Sequence, residues 1–131
     1  MPLVSSFDEI NKQLMKLMYI GQSCNFTYGV DVEFTNCPDS TQVINTIQIA
    51  INSNVDDVLI IFFPMNDNYI SPLKNELRSR SNALTSFLTS RRHVKVGVNI
   101  TDDVVKLERE FGIKVLNYVD AQSLAISLNI T

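Results

Sequence analysis

The chain has 131 residues, of which 45% are hydrophobic and 19% are charged, and its formal net charge is −3. This length is typical of one domain, and a chain of this size buries roughly two thirds of the surface that its unfolded form exposes. The mildly acidic balance excludes a protein that holds nucleic acid through broad electrostatic attraction. No apolar run approaches the roughly 20 residues of a membrane span, so we predict no membrane contact.

Two further features concern the cellular compartment. The first residues do not show the basic and apolar regions of a secretory signal. Cys24 and Cys37 are too few for a disulfide framework or a zinc site. We interpret them as reduced thiols of an intracellular protein.

The first half of the chain predicts one helix and three strands. After a capping box that begins at Ser6, residues 7–20 place apolar side chains at helical spacing, which predicts an amphipathic helix. Residues 28–34 alternate between apolar and polar, which is typical of a strand. Residues 43–51 predict a second strand, and the unbroken apolar run 58–63 predicts a strand that is covered on both faces. The short polar links favour an antiparallel meander.

The second half of the chain predicts alternating helices and strands. The predicted elements are a helix over 72–90, a strand over 93–98, a helix that begins at the cap Thr101 and ends at Gly112, a strand over 114–119 and a short helix over 121–130. Three meander strands followed by this alternation predict an α/β fold. Its sheet is mixed and five-stranded, with helices on both faces.

Carboxylates are the candidate chemical groups. Asp31 and Glu33 lie two residues apart on a predicted strand, so both side chains point to one face, about 7 Å apart. That spacing allows them to share a metal ion, and it is also typical of a solvated sheet face. Asp102 and Asp103 open a predicted helix, where the helix dipole favours negative charge. The single histidine, His93, has no partners for a nucleophilic triad in the sequence pattern, and the four glycines form no phosphate-binding loop.

The order of these segments resembles that of a known enzyme family. The series runs from Gly29–Phe34, with its Asp-x-Glu pair, through Ile47–Ala50 and Val94–Leu107 to Phe111–Ile113 and Tyr118–Asp120. It is similar to the 3'-5' exonucleases of the DEDD superfamily, and most similar to the branch with ribonuclease D and the Werner syndrome exonuclease domain. The resemblance covers most of the chain. It implies a ribonuclease H-like mixed sheet, in agreement with the predicted elements.

The same resemblance implies a metal-dependent nuclease site. It gives Asp31 and Glu33 as metal-binding carboxylates of the first motif and Asp103 as the aspartate of the second, with Mg²⁺ or Mn²⁺ as cofactor. Carboxylates suit these hard cations. Two such ions about 3.5–4 Å apart can activate a water and stabilise a leaving oxygen. The implied activity is hydrolysis of DNA or RNA phosphodiesters from a 3' end.

The densest basic stretch precedes the second motif. It includes Arg91, Arg92 and Lys95, which are the candidate contacts with nucleic acid. A solvated surface is the alternative interpretation of these charges.

The resemblance also implies a third motif, which the 131 residues do not contain. The family carries a fourth metal-binding aspartate on a C-terminal helix, with a general-base Tyr or His four residues before it. After Asp120 the sequence has no Asp or Glu, and Gln122 stands four residues after Tyr118. We therefore expect residues 1–131 to form a single exonuclease-like domain that is truncated at its C-terminal end.

Three explanations for the missing motif stay open. The chain is a piece of a larger exonuclease, or a short form that a partner chain or a second copy in a homodimer completes, or a catalytically inactive exonuclease-like module that binds a protein or nucleic-acid partner. Homodimerisation is a secondary prediction, because exposed apolar sheet surface favours association. An unrelated mixed α/β domain with solvated acidic residues is the remaining alternative.

Overall fold

A computed structural model describes residues 3–51 and 58–122 of the protein. Its elements, in chain order, are β1 (Leu3–Val4), α1 (Phe7–Gly21), a 3₁₀ helix (Gln22–Cys24), β2 (Thr27–Asn36), β3 (Gln42–Ala50), β4 (Val58–Phe62), α2 (Pro72–Ser79), α3 (Ala83–Thr89), β5 (Val94–Gly97), α4 (Ile100–Phe111) and β6 (Tyr118–Asp120). None of the helices in these two ranges is long and apolar enough to cross a membrane.

The strands form one mixed sheet in the order β1-β4-β3-β2-β5-β6. β2, β3 and β4 make the predicted antiparallel meander, and β5 and β6 follow parallel to β2. β1, which pairs in parallel with β4, raises the strand count of the described residues from the predicted five to six. Two residues are too few to show a periodicity, so β1 could not be predicted from the sequence pattern. The predicted α/β fold is confirmed.

All four described α-helices pack on one face of the sheet. On that face the buried Tyr28 contacts α1 through a hydrogen bond to the Met18 carbonyl and α3 through an edge-on ring contact with Phe87. Phe63 contacts α4 through the Phe111 ring and α2 through the Lys74 ammonium. The predicted helices on the second face therefore have no counterpart among the described helices.

The second face is partly open. Leu3 is 65% exposed and Phe62 is 42% exposed. Both lie on the face opposite to the buried Leu59 and Ile61, because residues alternate between the two faces of a strand. The prediction that 58–63 is covered on both faces is therefore wrong for its second face.

The predicted helix over 72–90 is two helices, and the side chain of Asn82 explains the break. Its Nδ2 donates to the Leu77 carbonyl (2.7 Å) and the Arg80 carbonyl (2.8 Å) at the end of α2. Its Oδ1 accepts from the backbone N–H of Thr85 (2.9 Å) and so caps α3. One buried amide thus ends one helix and begins the next, although the apolar spacing continues through both.

Three other boundaries differ from prediction. α4 begins after Asn99, which has φ 54°, and not after a cap at Thr101. The predicted strand over 114–119 is confined to Tyr118–Asp120. Of the predicted helix over 121–130, residues 123–130 lie outside the described residues.

Gly21 gives a direct test of the packing between α1 and β2. A Cβ at Gly21 would overlap the hydroxyl and ring of the buried Tyr28, whereas a Cβ at the exposed Gly29 would meet nothing closer than 3.9 Å. Overpacking in a core costs about 1–3 kcal/mol. We expect Gly21→Ala to lower the free energy of unfolding by at least that amount, and Gly29→Ala to leave it within about 0.5 kcal/mol, both measured by urea denaturation. Equal stability of the two variants would contradict this packing.

Candidate functional site

β2 carries the first two candidate residues on its exposed side. Val30 and Val32 are buried, and Asp31 and Glu33 are exposed on the opposite face, as the alternation predicted. β3 pairs with β2 along this stretch and places Gln48 opposite Asp31. The two carboxylates therefore project from a central strand of the sheet beside a polar neighbour.

Asp103 reaches the edge of β2 from the first turn of α4. Its side chain is buried, with 7% of the residue exposed, and the backbone N–H of Val32 donates a hydrogen bond to its carboxylate. β5 pairs with β2 only as far as Gly29, so the next part of the β2 edge is open to α4. The structure thus brings Asp103 close to Asp31, although 72 positions separate them in the sequence.

Gly97 is required for this close approach. A Cβ at Gly97 would lie 2.6 Å from the backbone oxygen of Val30 and 3.4 Å from Cδ1 of Ile100. The chain then passes through Asn99, whose left-handed backbone (φ 54°, ψ 36°) turns it directly into α4. Gly97 and the turn at Asn99 therefore allow α4 to begin close to β2, so that Asp103 in its first turn lies at the edge of that strand.

The electrostatics of Asp103 reflect its position. Burial raises the pKa of its carboxyl to about 6, and the negative charge of Asp31 acts in the same direction. The Lys106 ammonium opposes this rise in pKa. That ammonium also lies 4.2 Å from the centre of the Phe34 ring on β2. Asp103 and Asp31 are thus two like charges held together, and one of them is removed from water.

The raised pKa of Asp103 predicts how stability depends on pH without metal. The folded protein binds this proton up to pH about 6, and the unfolded chain only up to pH about 4, so the free energy of unfolding falls as pH rises between these values. Asp103→Asn should remove this slope and raise the free energy of unfolding at pH 7 by about 1–3 kcal/mol. The measurement is denaturation in EDTA at pH 4, 5, 6 and 7. The exposed neighbour Asp102→Asn is the control and should keep the slope. A less stable Asp103→Asn variant at pH 7 would contradict this account.

The donor set at the site is that of a hard cation. A cation between Asp31 and Asp103 would offset the repulsion and the desolvation that raise the Asp103 pKa. Glu33 lies on the same face of β2, two residues after Asp31. Across residues 3–51 and 58–122, no group of three or more His, Cys, Asp or Glu side chains is arranged to hold a metal ion. Joint binding of metal by Asp31, Glu33 and Asp103 therefore stays a prediction.

Comparison with known proteins gives the family. The sequence model of the 3'-5' exonuclease family matches residues 8–131, which is nearly the whole chain. The chain belongs to the 3'-5' exonuclease family. No curated protein matches the chain significantly.

Solved structures agree with this exonuclease assignment at the level of the fold. A crystal structure of the EXD2 exonuclease domain matches with a TM-score of 0.76 and 20% identity, over 98% of this chain and 59% of that one. The EXD2 domain soaked in Mg and GMP gives 0.75 and 22%, over 97% and 59%. The domain soaked in Mn gives the same four values. The chain therefore has the ribonuclease H-like exonuclease fold and spans about 59% of the length of these structures.

The basic residues of this exonuclease domain divide into two groups. Arg91 and Arg92 are exposed, and their contact with nucleic acid stays a prediction. Lys95 is 1% exposed, and its ammonium donates to the carbonyls of Ser90 (2.7 Å) and Leu116 (2.8 Å). The prediction of a nucleic-acid contact is wrong for Lys95, because its register opposite Tyr28 turns it to the helix-covered face. On that face the Lys95 ammonium links β5 to the segment that ends α3 and to the segment that precedes β6.

His93 is also part of the packing. Its ring is half-buried between Tyr28 and Phe87, at 5.5 and 5.7 Å between ring centres, and its Nδ1 lies 2.8 Å from Oγ of Ser90. Burial lowers the pKa of this imidazole, and the charge of Lys95 lowers it further. His93 therefore contacts the aromatic core at the start of β5, away from the carboxylates at the end of that strand.

A buried ionic network that was not predicted from the sequence joins α4, α2 and β3. Glu110 of α4 forms an ion pair with Lys74 of α2, and its other oxygen accepts the backbone N–H of Ile44 (2.8 Å). That N–H is available because β3 has an extra residue, Asn45, opposite the junction between Glu33 and Phe34. The apolar spacing on β3, which changes from three residues to two after Ile47, was the signal in the sequence for this bulge.

Proposed function

We propose that this exonuclease-family domain hydrolyses phosphodiesters at the 3' end of DNA or RNA, with Mg²⁺ or Mn²⁺ held by Asp31, Glu33 and Asp103. One observation carries the proposal. Asp103 is buried at the edge of β2, and burial together with the negative charge of Asp31 raises its pKa to about 6. Two adjacent carboxylates of this kind are unfavourable when both are charged unless a cation offsets them, so their arrangement suits metal binding better than a structural role.

The residues of the chain supply position and charge to this chemistry. The Val32 N–H orients the Asp103 carboxylate, and β2 holds Asp31 and Glu33 on the sheet face that the described helices leave open. That open face gives a scissile phosphate access to the carboxylates. When bound, divalent ions supply an activated water and stabilise the leaving oxygen. EXD2 crystals were soaked in Mg, in Mn and in these metals with GMP, which makes these the first ligands to test.

A second candidate function is a non-catalytic exonuclease-like module that binds a protein or nucleic-acid partner. The observation that favours it is the lack, in the described parts of the chain, of a group of three potential metal ligands.

Metal binding tests the proposed site independently of turnover. We expect MnCl₂ at pH 7 to raise the melting temperature of the wild-type chain, because a ligand at 100 times its Kd adds about 2.7 kcal/mol to stability. Asp31→Asn and Asp103→Asn should each remove most of this increase. Asp67→Asn, an exposed residue in the loop before α2, is the control and should keep it. Equal increases in all four proteins, or none in the wild type, would contradict a metal site at these carboxylates.

A further inference from the structure

A basic and aromatic groove runs along the outer side of α1. It consists of two adjoining cavities of about 520 and 330 Å³ that share Met15 and Tyr19. Phe26 and Arg92, which line the groove, precede the parallel strands β2 and β5, whereas Asp103 follows the end of β5. The α1 groove therefore lies before the start of both strands, whereas Asp103 follows the end of β5 and Asp31 lies midway along β2. The lining residues used below are Lys12, Met15, Lys16, Tyr19, Phe26 and Arg92.

The α1 groove is exposed and differs in charge from the rest of the molecule. Tyr19 is 74% exposed and Met15 is 63% exposed, which makes them two of the most exposed large apolar side chains of the described residues. The chain has a net charge of −3. The lining of the two cavities nevertheless includes Lys12, Lys16 and Arg92, and none of its described residues is acidic. A concave surface with an exposed aromatic ring and several cations suits a ligand that is both aromatic and anionic.

The backbone under the α1 groove is firmly held. The Gly21 carbonyl at the end of α1 accepts the N–H of Phe26 (2.8 Å), and the Tyr28 hydroxyl donates to the Met18 carbonyl (3.3 Å). Phe26 has φ 54°, a conformation that is strained for an aromatic residue. The Arg92 guanidinium stacks on its ring at 4.3 Å. The backbone at the end of α1 and the Arg92 guanidinium are therefore held in place before a ligand binds, which reduces part of the entropy that binding would cost.

We propose that the α1 groove binds single-stranded nucleic acid, with a base stacked on Tyr19 and the backbone phosphates beside Lys12, Lys16 and Arg92. Proteins that bind single strands without sequence preference combine a cationic groove with aromatic rings on which bases stack. Asp31 lies five positions after Phe26, which is about 17 Å along the extended chain of β2. The groove is therefore a second contact surface, separate from the carboxylates, and its binding does not depend on metal or hydrolysis.

The test is fluorescence anisotropy of a labelled 20-nucleotide thymidine strand in EDTA, where no cleavage can interfere. We expect Tyr19→Ala and Tyr19→Leu to weaken binding by about 5- to 100-fold and Tyr19→Phe to keep it, because stacking needs the ring and not merely apolar surface. The double variant Lys12→Gln, Lys16→Gln should reduce the slope of log affinity against log salt by about 1.4. Lys114→Gln, an exposed cation outside the groove, is the control for charge and should change the slope little.

Three results would overturn the proposal. The first is wild-type binding that is absent or insensitive to the Tyr19 substitutions. The second is equal, Tyr19-dependent binding of polyglutamate, which would identify an acidic peptide as the ligand. The third is a dimer in sedimentation that Tyr19→Ala dissociates, which would identify the groove as an interface between copies. Each of them leaves the proposed metal site at Asp31 and Asp103 untouched, so the two proposals can fail separately.

Discussion

Glu110→Ala is expected to lower the free energy of unfolding by about 3–5 kcal/mol, which is the cost of removing one member of a buried ion pair. The Lys74 ammonium is in a residue only 6% exposed and lies 5.6 Å from the Phe63 ring centre, so it would be left largely buried without its ion-pair partner. The Ile44 N–H at the β3 bulge would lose its acceptor as well. Because α2, α4 and β3 meet at this carboxylate, its loss affects three elements at once.

Urea denaturation of matched variants measures this cost. Glu76→Ala is the control, since Glu76 is also a helical glutamate in an ion pair, with Arg80, but both side chains of that pair are largely solvated. It should lower stability by no more than about 1 kcal/mol. Glu110→Gln combined with Lys74→Met keeps an acceptor for Ile44 and removes both charges, so it should recover most of the loss. Similar losses for Glu76→Ala and Glu110→Ala would show that the network does not hold these elements together.

Substitution of the adjacent residues Asp102 and Asp103 is expected to affect nuclease activity very differently. We expect Asp103→Asn to reduce Mn²⁺-dependent nuclease activity by at least about 100-fold, because a change to a metal ligand costs no less than the 10–100-fold of a change to its outer partners. Asp102→Asn should stay within about threefold of the wild type, on the order of 0.6 kcal/mol. Asp102 is exposed, whereas Asp103 is buried and bonded to the Val32 N–H. The two substitutions remove the same charge at neighbouring positions, and only Asp103 faces β2.

Initial rates on a single-stranded oligonucleotide measure this difference. The Asp103→Asn protein is predicted to be more stable than the wild type without metal, so a loss of activity would not reflect unfolding. Loss of activity in Asp102→Asn but not in Asp103→Asn would place the second motif one residue earlier than the resemblance implies.

The parts of the fold that the sequence predicted correctly are those with a strict period. The alternation on β2 predicted which face of the sheet carries Asp31 and Glu33. When one face of a sheet is buried and the other is open, the polar residues of a central strand must lie on the open face. The apolar stripe of α1 likewise gave its buried face. Each of these two periodic patterns depends only on one helix or strand and on the surface that it packs against. A short stretch of sequence therefore contains all the information that predicts it.

The parts that were missed depend on single side chains and on distant partners. The buried amide of Asn82 divides α2 from α3, and the carbonyls that enclose the Lys95 ammonium come from segments on either side of β5. A lysine beside two arginines resembles a surface cation until its register opposite Tyr28 is known. The contact between Asp103 and β2 could be predicted only through the resemblance, because no spacing rule joins residues 31 and 103. Asp102 and Asp103 are equivalent in charge, so the sequence distinguishes them only through the resemblance, and the structure distinguishes them by the burial of Asp103.

We expect Asp31, Glu33 and Asp103 to form a metal-dependent site that removes nucleotides from a 3' end. The most direct measurement follows one single strand labelled at its 3' end and the same strand labelled at its 5' end, with Mn²⁺, with EDTA, and with an Asp31→Asn, Glu33→Gln double variant. We predict early release of the 3' label as a mononucleotide and a shortening ladder from the 5' label, in Mn²⁺ only and not with the double variant. No release by the folded wild-type chain in Mn²⁺, or equal release by the double variant, would contradict it.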